Sequence, residues 1–461
     1  MTDLAEYRQF IAGKGFSAPT VGFSPASLPS RMFPHQKSAA EFALDKGRAA
    51  LFLDTGLGKS GCEAVFASEC ARETGKPSLI LTPLAVARQM QRECEAFGVD
   101  AKVVRDESEV WSGVNIANYE RIGKLDLSRF GSVVLDESSI LKSFAGSTKR
   151  ALVDAFRDTP YRLAATATPA PNDHMEIGTH AEFLGIMGSM EMLCRWFIND
   201  ASTASQDWRL KRHAVNDFWS WVASWARAAS LPSDLGGSDD GFILPPLKTE
   251  RHIVGVDLTV GAGDGMLFRI PDNSATDIHR EKRHTLAERV ARSAEISNGH
   301  NGPVIVWCET NDESAALTKA IPDAIEVIGS MDMDAKEAAL DAFSAGHRRV
   351  IVTKPRIAGF GLNWQHSRCQ VFASLSHSYE RYYQAVRRSW RFGQTGEVTA
   401  HIVIAETEMG IWQNVQRKAA DHDQMKAAMA YAMRGHQTDR ARLVYTRPPQ
   451  FTLPSFIGDT A

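Results

Sequence analysis

The chain reads as an α/β protein: two parallel-sheet domains in tandem, with a helical insertion after the first. Three observations lead there. Short apolar runs that end in polar clusters alternate with helical stretches, the pattern of a parallel sheet covered by helices. A glycine-punctuated turn at residues 54–61 joins one such run to a helix. After a turn-rich segment at residues 231–247 the alternation resumes. At 461 residues the chain exceeds one ordinary core, so two or three domains are expected.

Bulk composition narrows the function little. Lys plus Arg number 52 and Asp plus Glu 55, a formal net charge of −3, so any basic surface for nucleic acid must be local. No run approaches the length of a membrane span, and Met1-Thr2-Asp3-Leu4-Ala5-Glu6 lacks the apolar core of a secretory signal. The six cysteines form no Cys-x-x-Cys pair; they read as small core residues in a reducing, cytoplasmic setting.

Residues 1–30, rich in Gly, Pro and Ser, read as a loose lead-in. Phe33-Pro34-His35-Gln36 then opens a helix carrying Ala39, Ala40, Phe42, Ala43 and Leu44. The Gln36 amide has the donor and acceptor needed to pair with an adenine edge, although alone it would pass for a surface residue. Leu51-Phe52-Leu53 is a strand end, and Asp54-Thr55-Gly56-Leu57-Gly58-Lys59-Ser60 is the turn into the next helix. Glycines let backbone N–H groups converge on an anion, the helix N-terminus adds its positive pole, Lys59 neutralises outer phosphates and Ser60 suits Mg2+. Leu53 stands where the general G-x-x-x-x-G-K-[ST] pattern has its first glycine.

Four more strand ends follow in the first domain: Ser78 to Thr82-Pro83, Val114 to Asn118-Tyr119-Glu120, Ser132 to Asp136-Glu137-Ser138-Ser139, and Tyr161 to Thr166-Ala167-Thr168-Pro169. In a parallel sheet, ligands bind at these carboxyl ends. Residues 170–230 gather Trp196, Trp208, Trp219, Trp221 and Trp225 beside Arg209, Lys211, Arg212 and His213. Phe218, Trp221, Val222 and Trp225 recur at helical spacing, which favours the core of a helical insertion over a base-stacking surface.

The expected layout is a lead-in at 1–30, a first domain at 31–230 with its insertion at about 170–230, a linker at 231–247, a second domain at 248–420, and a C-terminal helix and tail at 421–461. The second domain has strands at 304–308 and 349–353, then the loop Gly359-Phe360-Gly361-Leu362-Asn363. It has no lysine-bearing phosphate loop of its own.

Asp136 and Glu137 supply what a bound triphosphate needs next: one carboxylate to help hold magnesium and one to orient the attacking water. Tyr382 to Gln394 carries Arg388 and Arg391 three apart, read as one face of a helix. Arginines reaching across a cleft to a γ-phosphate stabilise charge in the transition state.

Taken in order, Gln36, the loop from Asp54 to Ser60, Thr82-Pro83, Asn118-Tyr119-Glu120, Asp136-Glu137, Thr166-Ala167-Thr168-Pro169, Gly359 to Asn363 and Gln384…Arg388…Arg391 resemble the motifs of superfamily 2 helicases. The likeness is nearest to the Swi/Snf-type DNA translocase branch, in a compact prokaryotic or phage-type version. Leu53 to Ser60 looks like its G-L-G-K-T loop, Thr166 to Asn172 like T-G-T-P-x-x-N, and Arg388-Ser389-Trp390-Arg391-Phe392-Gly393-Gln394 like R-A-H-R-I-G-Q.

The resemblance runs from about residue 31 to about 420 and implies two RecA-like domains with ATP between them and DNA across both. It assigns adenine to Gln36, phosphates to Thr55, Gly56, Gly58 and Lys59, and Mg2+ to Ser60 and Asp136. Glu137 becomes the hydrolytic carboxylate, Arg388 and Arg391 the trans-domain arginines, and Gln384 a neighbour of the γ-phosphate. Thr82, Asn118, Thr166 and Thr168 contact nucleic acid or relay the nucleotide state, and Gly361 lies near the cleft. Two positions depart from the pattern: Ser139 replaces a histidine or aspartate, and His35 replaces a tyrosine.

The function expected is an ATP-dependent DNA helicase or translocase that moves largely independently of sequence. Its implied partners are duplex or branched DNA and proteins of replication, recombination or restriction. An ATP-gated binding switch and an RNA helicase are the alternatives.

Overall fold

The computed structural model describes residues 18–25, 27–83, 86–142, 146–171, 173–200, 207–259, 267, 278–358 and 362–442. Gly361, with Gly359 and Phe360, lies outside the described residues, as does Asn172.

The first domain is a seven-stranded sheet of β1 (Arg48–Leu53), β2 (Ser78–Thr82), β3 (Ala101–Val103), β4 (Val114–Asn118), β5 (Ser132–Asp136), β6 (Tyr161–Ala165) and β9 (Ala226–Ala229), in the order β3-β4-β2-β5-β6-β1-β9. Every pairing is parallel. Most of these strands are buried on both faces, which is why they are short Val, Ile, Leu and Ala runs and not alternating ones. Register sets the site. Ala165 pairs with both Leu51 and Asp136, so the ends of β1, β6 and β5 finish at one level.

The insertion is mixed and not purely helical. Helices Ile177–Leu184, Ser189–Trp196 and Val215–Ala223 flank an antiparallel hairpin of β7 (Phe197–Asp200) and β8 (Asp207–Leu210). β9 then returns the chain to the first sheet, pairing with β1. A four-residue Ala-Arg-Ala-Ala run carries no strand signal of its own, so sheet packing assigns it. Trp196, Trp219, Trp221 and Trp225 are all buried in one cluster with Phe218, in keeping with the core reading of this region.

The second domain is a six-stranded parallel sheet of β10 (Leu247–Val254), β11 (Val304–Trp307), β12 (Ala324–Val327), β13 (Val350–Thr353), β14 (Cys369–Phe372) and β15 (Val398–Ala405), in the order β10-β15-β14-β11-β13-β12. β10 begins at Leu247, the last residue of the expected linker.

The C-terminal helix is much longer than the sequence suggested. It runs as one element, Met409–Arg442, instead of starting near residue 424. It leaves the second domain with Ile411, Trp412 and Val415 in that core, then lays Met425, Met429 and Met433 into the first domain's core. Spacing by four puts the three methionines on one stripe. No helix among the described residues is long and apolar enough to cross a membrane. Five cysteines are buried and Cys194 is exposed.

Candidate functional site

The two domains enclose a cleft lined on one side by Thr55, Gly56, Gly58, Lys59, Ser60, Asp136 and Glu137, and on the other by Gln384, Arg388, Arg391 and Phe392. The first set comes from the ends of β1 and β5, the second from helix Tyr379–Val386 and the turns after it.

The phosphate-type loop is built by its glycines. Gly56 and Gly58 have φ of 100° and 78°, in the left-handed region that side chains disfavour. A Cβ on Gly56 would meet Phe392 Cβ at 2.8 Å, and one on Gly58 would sit 1.8 Å from Gln36 Nε2. Gly58 caps helix Lys59–Thr74. Lys59 Nζ donates to the Leu53 carbonyl (2.7 Å), a resting place beside the position an outer phosphate would take.

Gln36 is already partly engaged. Its Oε1 accepts from Phe33 N (2.9 Å) and its Nε2 reaches the Leu57 carbonyl (3.4 Å), while His35 Nε2 contacts the same carbonyl at 3.1 Å. Gln36 and His35 thus brace the loop from behind. An amide has capacity left for a base edge.

Glu137 is held in a strained backbone, with φ of 60°, the one non-glycine residue at positive φ among those described. Thr166 Oγ1 donates to Glu137 Oε1 (2.6 Å), and Thr168 N donates to Thr166 Oγ1 (3.0 Å). The link between the Asp-Glu pair and the Thr-Ala-Thr turn therefore runs through Glu137 itself, and buried Ser139 is not needed for it. Tyr119 OH donates to the Asp136 carbonyl (2.8 Å). Thr82 and Asn118 are register partners on β2 and β4, with Thr82 Oγ1 3.4 Å from Asn118 Oδ1. That pair does not line the cleft.

The arginines differ from expectation in one respect. Helix Tyr379–Val386 ends before them, so Arg388 and Arg391 lie on successive turns and not on a helical face. Gln370 Nε2 bonds the Val386 carbonyl (3.0 Å) and Ser389 Oγ (2.6 Å), which draws the chain out of helical continuation. The two still converge: Arg388 Nη1 and Arg391 Nη1 both donate to the Leu362 carbonyl, at 3.0 and 3.1 Å. Arg388 also donates to the Gln384 carbonyl (2.9 Å) and to Gln384 Oε1 (3.3 Å).

Electrostatically the cleft favours neutral forms. Burial, reinforced by Glu137, pushes Asp136 up to about 7, and burial raises Glu137 as well. Burial likewise pulls Lys59 below its ordinary value and Arg388 down to about 9. A triphosphate with a divalent cation would oppose the shifts of Lys59, Arg388 and Asp136, since the anion favours charged Lys and Arg and the cation favours charged Asp. Gln384 Nε2 and Arg391 Nε are buried donors without an acceptor, which also suits an incoming anion.

One residue escaped the sequence reading. Glu63, four positions after Lys59 and so on the same helical face, is fully buried with neither carboxylate oxygen partnered. Burial, then Asp136, holds its carboxyl well above the ordinary range. A raised folded value means that the unfolded chain releases its proton first, so stability falls as pH rises above about 4.5. Glu63→Gln is expected to flatten that fall, melting a few degrees above the parent at pH 8 and close to it at pH 4.5; calorimetry across this range checks it.

Among the described residues one further group could hold a metal ion: Glu250, His252 and His401, on the edge strand β10 and its neighbour β15. Arg292 Nη2 lies 2.9 Å from His252 Nδ1, and His252 Nε2 lies 3.0 Å from His401 Nδ1. That hydrogen-bonded chain occupies both nitrogens of His252 and Nδ1 of His401, and a ligating His252 would need an acceptor where the guanidinium stands. We assign no metal there.

Comparison with known proteins enters here. Residues 281–393 match the helicase conserved C-terminal domain. That match covers the greater part of the second domain. The chain is 23% identical over 450 residues to the bovine (Bos taurus) DNA annealing helicase and endonuclease ZRANB3, covering 86% of this chain and 41% of that protein. A 165-residue stretch is 27% identical to the SWI/SNF-related matrix-associated actin-dependent regulator of chromatin subfamily A-like protein 1 of Xenopus tropicalis, covering 33% of this chain and 17% of that protein. The chain thus spans well under half the length of these relatives. Among solved structures, S. cerevisiae Dbp5 bound to RNA and ADP BeF3 matches with a TM-score of 0.55 at 12% identity, over 88% of this chain and 94% of that one. That last likeness concerns the fold: two RecA-like domains in tandem. Together these findings support a superfamily 2 helicase, an architecture of nucleic-acid-dependent ATPases.

Proposed function

We propose that the chain is an ATP-dependent DNA translocase or helicase of the Swi/Snf-type branch, in a compact prokaryotic or phage-type version. It hydrolyses ATP between its two domains and moves along DNA with little regard to sequence. The observation that carries this reading is the convergence of Lys59, Asp136 and Glu137 from one domain with Arg388 and Arg391 from the other on a single cleft.

The roles follow from chemistry. Thr55, Gly56 and Gly58 offer backbone to the phosphates, Lys59 neutralises outer-phosphate charge, and Gln36 reads the adenine edge. Ser60 and Asp136 are hard oxygen donors suited to Mg2+, which when bound supplies charge neutralisation across the outer phosphates. Glu137 orients the attacking water, and Thr166 fixes its carboxylate. Arg388 and Arg391, with Gln384 beside them, stabilise charge on the γ-phosphate side when the domains close. Thr82, Thr166 and Thr168 are fully buried, so of the two expected roles they fit a relay of the nucleotide state, with Asn118 beside Thr82; closure and release then alternate each domain's grip on the DNA backbone. The DNA preference is supported by the ZRANB3 relatives, which are DNA annealing helicases and endonucleases.

The test measures ATP turnover with single-stranded, duplex and forked DNA and with RNA at matched salt, because phosphate contacts weaken steeply as salt rises. Duplex or forked DNA is expected to stimulate turnover about tenfold or more, with Lys59→Ala showing none. Stimulation by RNA alone, or ATP binding without turnover on any nucleic acid, overturns the reading.

A further inference from the structure

Asp54, the residue before the glycine turn, is gripped from the far side of the cleft. Tyr383 OH donates to Asp54 Oδ1 (3.0 Å), Arg387 Nη2 donates to Oδ2 (3.3 Å), and Lys426 Nζ pairs with Oδ1. Tyr383 sits on helix Tyr379–Val386, Arg387 caps it, and Lys426 comes from the long C-terminal helix. Two segments distant in sequence thus meet on one carboxylate.

The burial of this cluster sets it apart. Its side chains are each about 10% exposed. The other described ion pairs between the domains have at least one exposed partner: Arg88–Glu337 is 67% and 37% exposed, and Lys142 of Lys142–Glu380 is 41% exposed. Exposed pairs hold little, whereas removing one partner of a buried pair leaves an uncompensated charge. The Arg387 guanidinium is pinned further over the Trp390 and Tyr383 rings, at 4.4 and 5.1 Å. On the loop side, Asp54 N donates to the Ala229 carbonyl (2.9 Å) and Leu57 N donates to the Asp54 carbonyl (3.2 Å), so the carboxylate is rigidly joined to the turn.

None of the four residues lines the cleft. Arg387 and Arg388 are adjacent, yet one faces Asp54 and the other faces the cleft with Gln384. Fixing Arg387 on Asp54 therefore fixes where Arg388 and Arg391 stand over the phosphate loop. We propose that Asp54, Tyr383, Arg387 and Lys426 form a latch between the domains that positions the arginines for hydrolysis, and that the C-terminal helix is the part that closes it. This rests on the ATP site proposed above, and the four are positioning residues, touching neither phosphate nor water.

The test uses the full chain with Lys426→Met, Lys426→Arg and Tyr383→Phe, the last removing one hydroxyl while keeping the ring. With saturating DNA, Lys426→Met is expected to lower kcat about tenfold or more while the KM for ATP changes less than about threefold, since misplacement costs rate more than binding. Lys426→Arg should recover most of the loss, and Tyr383→Phe should lower kcat about twofold to fivefold. Combining Asp54→Asn with Lys426→Met should cost no more than the worse single change. Independently of turnover, hydrogen exchange in the nucleotide-free protein should quicken at the amides of Tyr379–Val386 in Lys426→Met and Tyr383→Phe. Parental kcat and exchange in folded variants, or a loss carried by KM alone, overturn the latch. If the parent protein shows no DNA-stimulated turnover, the proposed function fails, and the exchange measurement still decides the latch.

Discussion

Glu137→Gln is expected to lower ATP turnover by about 10²- to 10⁴-fold, the usual contribution of a positioned acid–base group. The substitution keeps the size and removes only the carboxylate that would orient water. The Thr166 hydroxyl can still donate to an amide oxygen, so the strained backbone at φ of 60° keeps its anchor. ATP should bind with near-parental affinity, because Lys59, Ser60 and the glycine turn are untouched. Quench-flow turnover beside equilibrium nucleotide binding separates the two quantities. Loss of binding in place of turnover would reassign Glu137 to the nucleotide's ground state.

Arg388→Ala is expected to lower turnover about 10³-fold or more, the range seen when an arginine that meets transition-state charge is removed. The reason lies in where the guanidinium waits. It is 3% exposed, held by the Leu362 and Gln384 carbonyls, and burial has brought it down to about 9. A cation kept poorly solvated beside a cleft gains much from an arriving anion. Arg391→Ala should act in the same direction with a smaller effect, since the Arg391 side chain makes one described hydrogen bond where that of Arg388 makes three. Single-turnover hydrolysis with ATP in excess over its Kd checks both variants; unchanged hydrolysis by Arg388→Ala would end its cross-cleft role.

Much of the nucleotide-facing half was readable in the chain because its signals are local. A strand, a glycine turn and Gly58-Lys59-Ser60 are contiguous, and Asp136-Glu137 closes an apolar run whose direction is set by parallel pairing. The long range of the C-terminal helix was less readable. Its contacts with the first domain are methionines at a spacing common to buried helices, and nothing in residues 409–423 marks them as continuous with residues 424–442. β9 was hidden because Ala-Arg-Ala-Ala has no strand bias. The arginine turns were read as helix because their spacing fits one, and only Gln370 and Ser389 show why the chain departs from it.

The sequence by itself determined the fold class, the tandem arrangement and the order of the phosphate-binding, carboxylate and arginine segments, because each depends on neighbouring residues and hydrophobic periodicity. Tertiary structure alone decided that Asp54 receives Tyr383, Arg387 and Lys426, that Glu63 is buried without a partner, and that the C-terminal helix returns to the first domain. Those facts rest on contacts between residues hundreds of positions apart or on the solvent a side chain loses on folding, and neither leaves a mark in local order.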